Sequence, residues 1–220
     1  RLQPKTRPED AEKYLGRASI KAEIQDRFVG LHRRNDSAHT MIHGGPSAGK
    51  THTIEYIKHL VQKNHGFTSE DIISFELSGS IKNDFSKFQG ELMDAVDQTN
   101  FEKTLRRFFK ALFMEDSTAG KLEEDAEQRE ILKAIVNVVG DLNVARALQW
   151  YYNKIHDNFE EKAKCWRWLC GRDTTSKERD AMHVDRDTKK DTAMSLKVLS
   201  GYFDMYDFSH RGEKKLILFL

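Results

Sequence analysis

Gly44-Gly45-Pro46-Ser47-Ala48-Gly49-Lys50-Thr51 reads G-x-x-x-x-G-K-[ST], and the fold expectation turns on these eight residues. A polyphosphate is held by several backbone N–H groups pointing into one concavity, and a glycine-rich turn lets the chain wrap that tightly. Gly44 and Gly49 supply that freedom at the two ends of the loop. At this spacing Lys50 reaches the β- and γ-phosphates as a point charge, and the Thr51 hydroxyl binds Mg2+. A helix starting near Lys50 adds the positive end of its dipole. The alternative is an ordinary Gly/Pro/Ser turn.

The pattern has meaning only between a strand and a helix. Ala38 to His43 is short, apolar and β-branched, and predicts the strand. Ile54, Ile57, Leu60 and Val61 recur at helical spacing, with Glu55, His59 and Gln62 opposite. They predict a helix to about Asn64, stopped at His65-Gly66. Asp71 to Ser78 predicts a second strand. A strand–helix–strand unit of this kind crosses over right-handed, so its two strands are expected to be parallel. His52 and His59 lack the H-E-x-x-H pattern of a metalloprotease.

Composition sets the class. The 220 residues are 38% hydrophobic and 32% charged, with a net charge of +1. These values suit a soluble, rather helical protein and leave nucleic acid neither favoured nor excluded. No apolar run approaches the roughly 20 residues that span a bilayer. Cys165 and Cys170 read as reduced, half-buried thiols on a helix, with a disulfide or half a metal site as the alternative. The expected location is cytoplasmic.

Beyond Ser80 the periodicity is helical. Phe85, Phe88, Leu92 and Val96 form one stripe, and Phe101, Leu105, Phe108, Phe109 and Leu112 a second. Ile131, Ile135 and Val138 form a third, ended by Gly140, and Val144, Leu148, Tyr151, Tyr152 and Ile155 a fourth. Trp166, Trp168 and Leu169 close a fifth at Gly171. These stripes are read as core, with a partner-docking face as the alternative. Lys103, Arg106, Arg107 and Lys110 form a basic helical face, read as solvated, with a nucleic-acid contact as the alternative. Thr175 or Ser176 caps a further helix, and Thr192 to Phe203 reads as another. Asp204 and Asp207 read as turn residues after it.

Lys214 to Leu220 ends in a continuous apolar run, expected to be a buried parallel strand. In P-loop NTPases such a strand carries the Walker B acids. Here Leu220 comes first, so the expectation is that the natural chain continues with those acids or that other protein covers this edge. The expected fold class is α/β, a P-loop NTPase with a partial parallel sheet and a large helical insertion. Residues 1–83 would be the N-terminal part of the ATPase core, 84–171 the helical insertion, and 172–220 the return to the core.

Tyr14-Leu15-Gly16-Arg17, a helical pattern through Ile20, Ile24, Phe28 and Leu31, and then the strand and Gly44–Thr51 resemble AAA+ ATPases of the origin-recognition and initiator type. The resemblance implies Leu15, Gly16 and Arg17 near the adenine of ATP. It places Gly45, Pro46, Ser47, Ala48, Gly49, Lys50, Thr51 and His52 at the phosphates. Ala145 to Leu148, Trp166 to Gly171, Thr174 to Glu178 and the terminal strand resemble ATP-binding proteins of BREX phage-defence systems. The function implied is a Mg2+-dependent ATPase, a motor or switch in a homo-oligomer or larger assembly, with Lys50 stabilising the transferred phosphoryl group. DNA is an open partner. A nucleotide-gated signalling or scaffold protein with little turnover is the alternative, and a small-molecule kinase a third reading.

Overall fold

A computed structural model describes residues 18, 21–26, 42, 49–65, 67–75, 85–115, 124–155, 158–211 and 216–219. Of these residues, 76% are α-helical. The chain divides into two compact units, one holding residues 1–72 with Phe219, the other 73–218 with Leu220.

In the first unit, residues 21–26 form a helical stretch, α1, and Lys50–His65 form α2. Ile24 of α1 packs on Tyr56 and Leu60 of α2, and the Lys21 ammonium lies 5.6 Å from the centre of the Tyr56 ring. A 3-10 turn, Ser69–Asp71, follows. The fully buried Asp71 carboxylate accepts from the Thr68 N–H at 2.6 Å and the Thr68 hydroxyl at 2.8 Å. Asp71 therefore closes a turn and is not part of the strand expected over Asp71–Ser78.

The second unit is a helical assembly. It contains α3 (Phe85–Val96), α4 (Gln98–Glu115), α5 (Glu124–Val139), α6 (Leu142–Lys154), α7 (Phe159–Leu169), the short α8 (Ser176–Ala181) and α9 (Thr192–Ser209). The stripes read from the sequence become its interior: Leu92, Phe101, Leu105, Phe108, Ile135, Leu148, Tyr151 and Trp168 are all buried in one core. Left-handed Gly140 and Gly171 follow the last residues of α5 and α7. The Asp141 carboxylate caps α6, accepting from Asn143 N–H at 2.8 Å and Val144 N–H at 3.2 Å. Thr175 and Glu178 form a reciprocal capping box on α8.

Helix α9 is the central element. It contacts α3, α4, α5 and α6, most extensively α4. Met194, Val198, Leu199, Tyr202 and Met205 are buried, so apolar residues face several neighbours and not a single stripe. At Gly201 an added Cβ would lie 2.8 Å from Val144 Cγ1, which sets how closely α6 and α9 approach. A buried polar chain ties α7 to the start of α9. The Trp168 indole N–H donates to the Arg186 carbonyl at 2.8 Å. The Thr188 hydroxyl donates to the Trp168 carbonyl at 2.7 Å, and the Ser195 hydroxyl to the Thr188 carbonyl at 2.7 Å. The helix runs on to Ser209, so Asp204 and Asp207 are helical residues and not the turn residues expected from the sequence.

The α/β expectation is corrected here. Among the described residues the sheet has two strands, β1 (Ile72–Ser74) and β2 (Ile217–Phe219), paired in parallel. A P-loop NTPase needs a larger sheet than two three-residue strands. A helix closes its own backbone hydrogen bonds, whereas a strand must find an edge to pair with, and the apolar stripes here find their partners in other helices. Of the strand expected over Ala38–His43, Ile42 alone is described, and it is not in a strand. The other residues of that stretch lie outside the described ones.

Candidate functional site

Gly49, Lys50, Thr51 and His52 fall among the described residues. Leu15, Gly16, Arg17, Gly44, Gly45, Pro46, Ser47 and Ala48 lie outside them. Gly49 has φ +82°, a left-handed conformation, and a Cβ there would meet no atom within 4 Å. The need for glycine is thus conformational and not steric. The Gly49 carbonyl accepts from the Thr53 N–H at 2.9 Å and the Thr53 hydroxyl at 3.1 Å, closing the first turn of α2 directly behind it.

Helix α2 begins at Lys50, with Thr51 exposed and Lys50 and His52 half-buried. Its first turn contains no acidic residue, and Glu55, one turn on, is paired with Lys58 at 2.7 Å. A cationic side chain at the positive end of a helix is unfavourable by about 0.3–1 kcal/mol unless an anion stands in front of it. Left-handed glycine, helix start, lysine and hydroxyl thus follow one another in the order a phosphate site uses. Among the described residues no group of acidic, histidine or cysteine side chains is arranged to hold a metal ion.

A second feature was not legible in the sequence. A concavity of about 940 Å3 is lined by residues of α5, α6 and the segment after α8, including Arg129, Arg146, Gln149, Trp150 and Asn153. Two of its polar side chains, Arg146 and Gln149, are bonded within the lining. Arg146 donates to the His183 carbonyl at 2.8 Å and lies 3.6 Å from the Asp185 carboxylate, while the Gln149 amide donates to the Gln128 side chain at 2.8 Å. His183 holds φ +56°. The residues come from sequence positions more than fifty apart, so no local pattern announces them.

Cys165 and Cys170 are both free thiols and both buried. Cys165 donates to the Ala147 carbonyl at 3.3 Å. Burial raises the Cys165 pKa well above the thiol range and pushes that of Cys170 up to about 12. The half-burial expected from the sequence is corrected to full burial, and neither thiol is disposed to be a nucleophile.

No family model, curated protein or solved structure matches this chain.

Proposed function

We propose that the chain binds ATP through Gly44–Thr51, with Mg2+, and that nucleotide turnover makes it a motor or switch within a larger assembly. The observation that carries this reading is the G-x-x-x-x-G-K-T stretch leading through left-handed Gly49 into a helix with no acid in its first turn. Lys50 neutralises charge on the transferred phosphoryl group, and the Thr51 hydroxyl ligates Mg2+. Water activation needs a carboxylate that the Gly44–Thr51 stretch does not itself carry. By the resemblance of Leu15-Gly16-Arg17 and the later segments, the assembly is an AAA+-type oligomer and its setting phage defence. Among the described residues no helix is long and apolar enough to cross a membrane.

The second reading keeps the same site but makes nucleotide a conformational ligand with little turnover. Binding of a fluorescent ATP analogue and phosphate release, each measured beside Lys50→Ala, separate the two. Binding and release that are both lost in the variant support the ATPase. Lys50-dependent binding without release supports the switch. Binding that Lys50→Ala leaves intact overturns both.

A further inference from the structure

The outer side of α4 carries Lys103, Arg106, Arg107 and Lys110 at i, i+3, i+4 and i+7, and all four are exposed. Successive members of such a series are neighbours on one helix face. The opposite side of the helix, with Phe101, Leu105, Phe108 and Phe109, is locked into the core, so the basic side cannot turn inward. Glu102, which precedes Lys103, is bonded on the other side of the helix: its carboxylate accepts from the Tyr151 hydroxyl at 2.9 Å and pairs with Lys162 at 2.9 Å.

A second element joins the same side. An Arg107 guanidinium nitrogen lies 3.2 Å from His210 Nε2, at the end of α9. His210 Nδ1 lies 2.9 Å from the Tyr206 carbonyl, which accepts from it, leaving Nε2 as the acceptor for Arg107. The next residue, Arg211, is exposed. This contact holds the Arg107 side chain and the end of α9 side by side.

One turn beyond Lys110, on the line Arg106–Lys110–Phe113, an aromatic ring stands 46% exposed. The inner neighbour of Phe113 is Phe109, ring centres 5.9 Å apart. Cations and an exposed ring in one line meet the two needs of an unpaired nucleic-acid strand, whose phosphates are anionic and whose bases present a stacking face. Duplex phosphates would use the cations and leave the ring idle. Lys103 to Lys110 spans about 10 Å of helix axis, the reach of about three stacked nucleotides.

We propose that the outer side of α4, from Lys103 to Phe113, binds single-stranded nucleic acid without sequence preference, through phosphate contacts and base stacking. The site is independent of Gly44–Thr51 and stands whether or not ATP binds there.

The test is fluorescence anisotropy of the full chain with labelled oligothymidylate of about 20 nucleotides, as a function of salt. Four phosphate contacts predict that affinity falls about 50-fold between 50 and 200 mM NaCl. Replacing Lys103, Arg106, Arg107 and Lys110 together by Ala should abolish that salt dependence and most of the binding. Arg106→Ala or Lys110→Ala alone should lower the log–log salt slope by about 0.7 each, which keeps the test available if the fourfold variant does not fold. Phe113→Ala should weaken oligothymidylate binding about tenfold with the salt slope unchanged, and should leave heparin binding unaltered. The proposal fails if oligothymidylate does not bind at 50 mM salt, if the single and fourfold variants bind as the parent does, or if Phe113→Ala has no effect. It fails equally if anionic phosphatidylserine vesicles bind through these residues while oligothymidylate does not.

Discussion

The Gln89 side-chain amide donates to the Leu169 carbonyl at 2.6 Å, joining two helices whose residues lie 80 positions apart in sequence. Gln89 is fully buried, and its Oε1 has no hydrogen-bond partner among the described residues. Gly171, at φ +64°, sits against that oxygen, since a Cβ built there would fall 2.8 Å from it and 3.1 Å from the Ser86 carbonyl. The end of α7 can pass α3 this closely only with glycine at 171.

Gly171→Ala should cost about 2–4 kcal/mol, from left-handed strain and the close contact together. Gln89→Ala should cost about 2–3 kcal/mol, from the lost donor and the cavity. Because the contact at 171 is partly with Gln89 itself, the double variant should be less destabilised than the sum. Urea unfolding of the four proteins measures the coupling. Strict additivity would show that the contact with Gln89 contributes nothing to the cost, leaving the backbone conformation and the Ser86 carbonyl.

Gly201 offers a second, opposite case. Glycine inside a helix normally costs about 1 kcal/mol relative to alanine. Gly201→Ala should nevertheless destabilise, by about 1–3 kcal/mol, because its Cβ would meet Val144 Cγ1 at 2.8 Å. In a Val144→Ala background the same change should be neutral or stabilising. Thermal midpoints of the four proteins give the sign.

Acid should unfold the protein through its helix caps. Burial acts to raise the Asp141 pKa, but the Lys197 ammonium at 2.6 Å and the Val144 and Asn143 N–H groups outweigh it and hold the carboxyl below its ordinary value. Asp191, bonded to the Met194 N–H and to Arg186, is lowered in the same way. A carboxyl with a lowered folded pKa contributes stability above its unfolded pKa, near 3.9, and loses it as pH falls through the folded value. Urea midpoints should therefore drop below about pH 4. Asp141→Asn keeps a capping oxygen but removes the charge facing Lys197 and the helix N-terminus, so it should cost about 0.3–1 kcal/mol at pH 7 and make that acid limb shallower. An unchanged limb would mean that Asp141 does not take part in it.

Native protein should resist thiol reagents. Cys165 and Cys170 are buried, and burial disfavours both thiolates. Neither should react with Ellman's reagent on the timescale of minutes at pH 8, and both should react at once in 6 M guanidinium. Rapid reaction of either in native buffer would show that the α6–α7 packing opens readily.

The helices were written in local pattern. Phe101, Leu105, Phe108 and Phe109 recur at the period of one helix face, Asp141 and Thr175 stand at the cap positions, and Gly140 and Gly171 stand at the stops. Each of these depends on neighbours within a few residues, and a helix satisfies its backbone within itself. The candidate phosphate site is local in the same sense, since one octapeptide and the helix after it contain the whole pattern. The size of the sheet could not be read in this way. An apolar run such as Leu216 to Phe219 becomes a strand only to the extent that another strand lies beside it, and among the described residues three positions of β1 do so.

The sequence by itself therefore determined which apolar stripes form the helical core and where α5 and α7 end, while α9 runs past its expected end at Phe203 to Ser209. The tertiary structure decided that α9 stands at the centre of the helices, because its apolar residues suit several neighbours equally and only packing chooses among them. It also decided that Arg107 meets His210 across two helices and that Phe113 is left exposed beyond the basic row. Those relationships join residues distant in the chain, and no local spacing encodes a distance between helices.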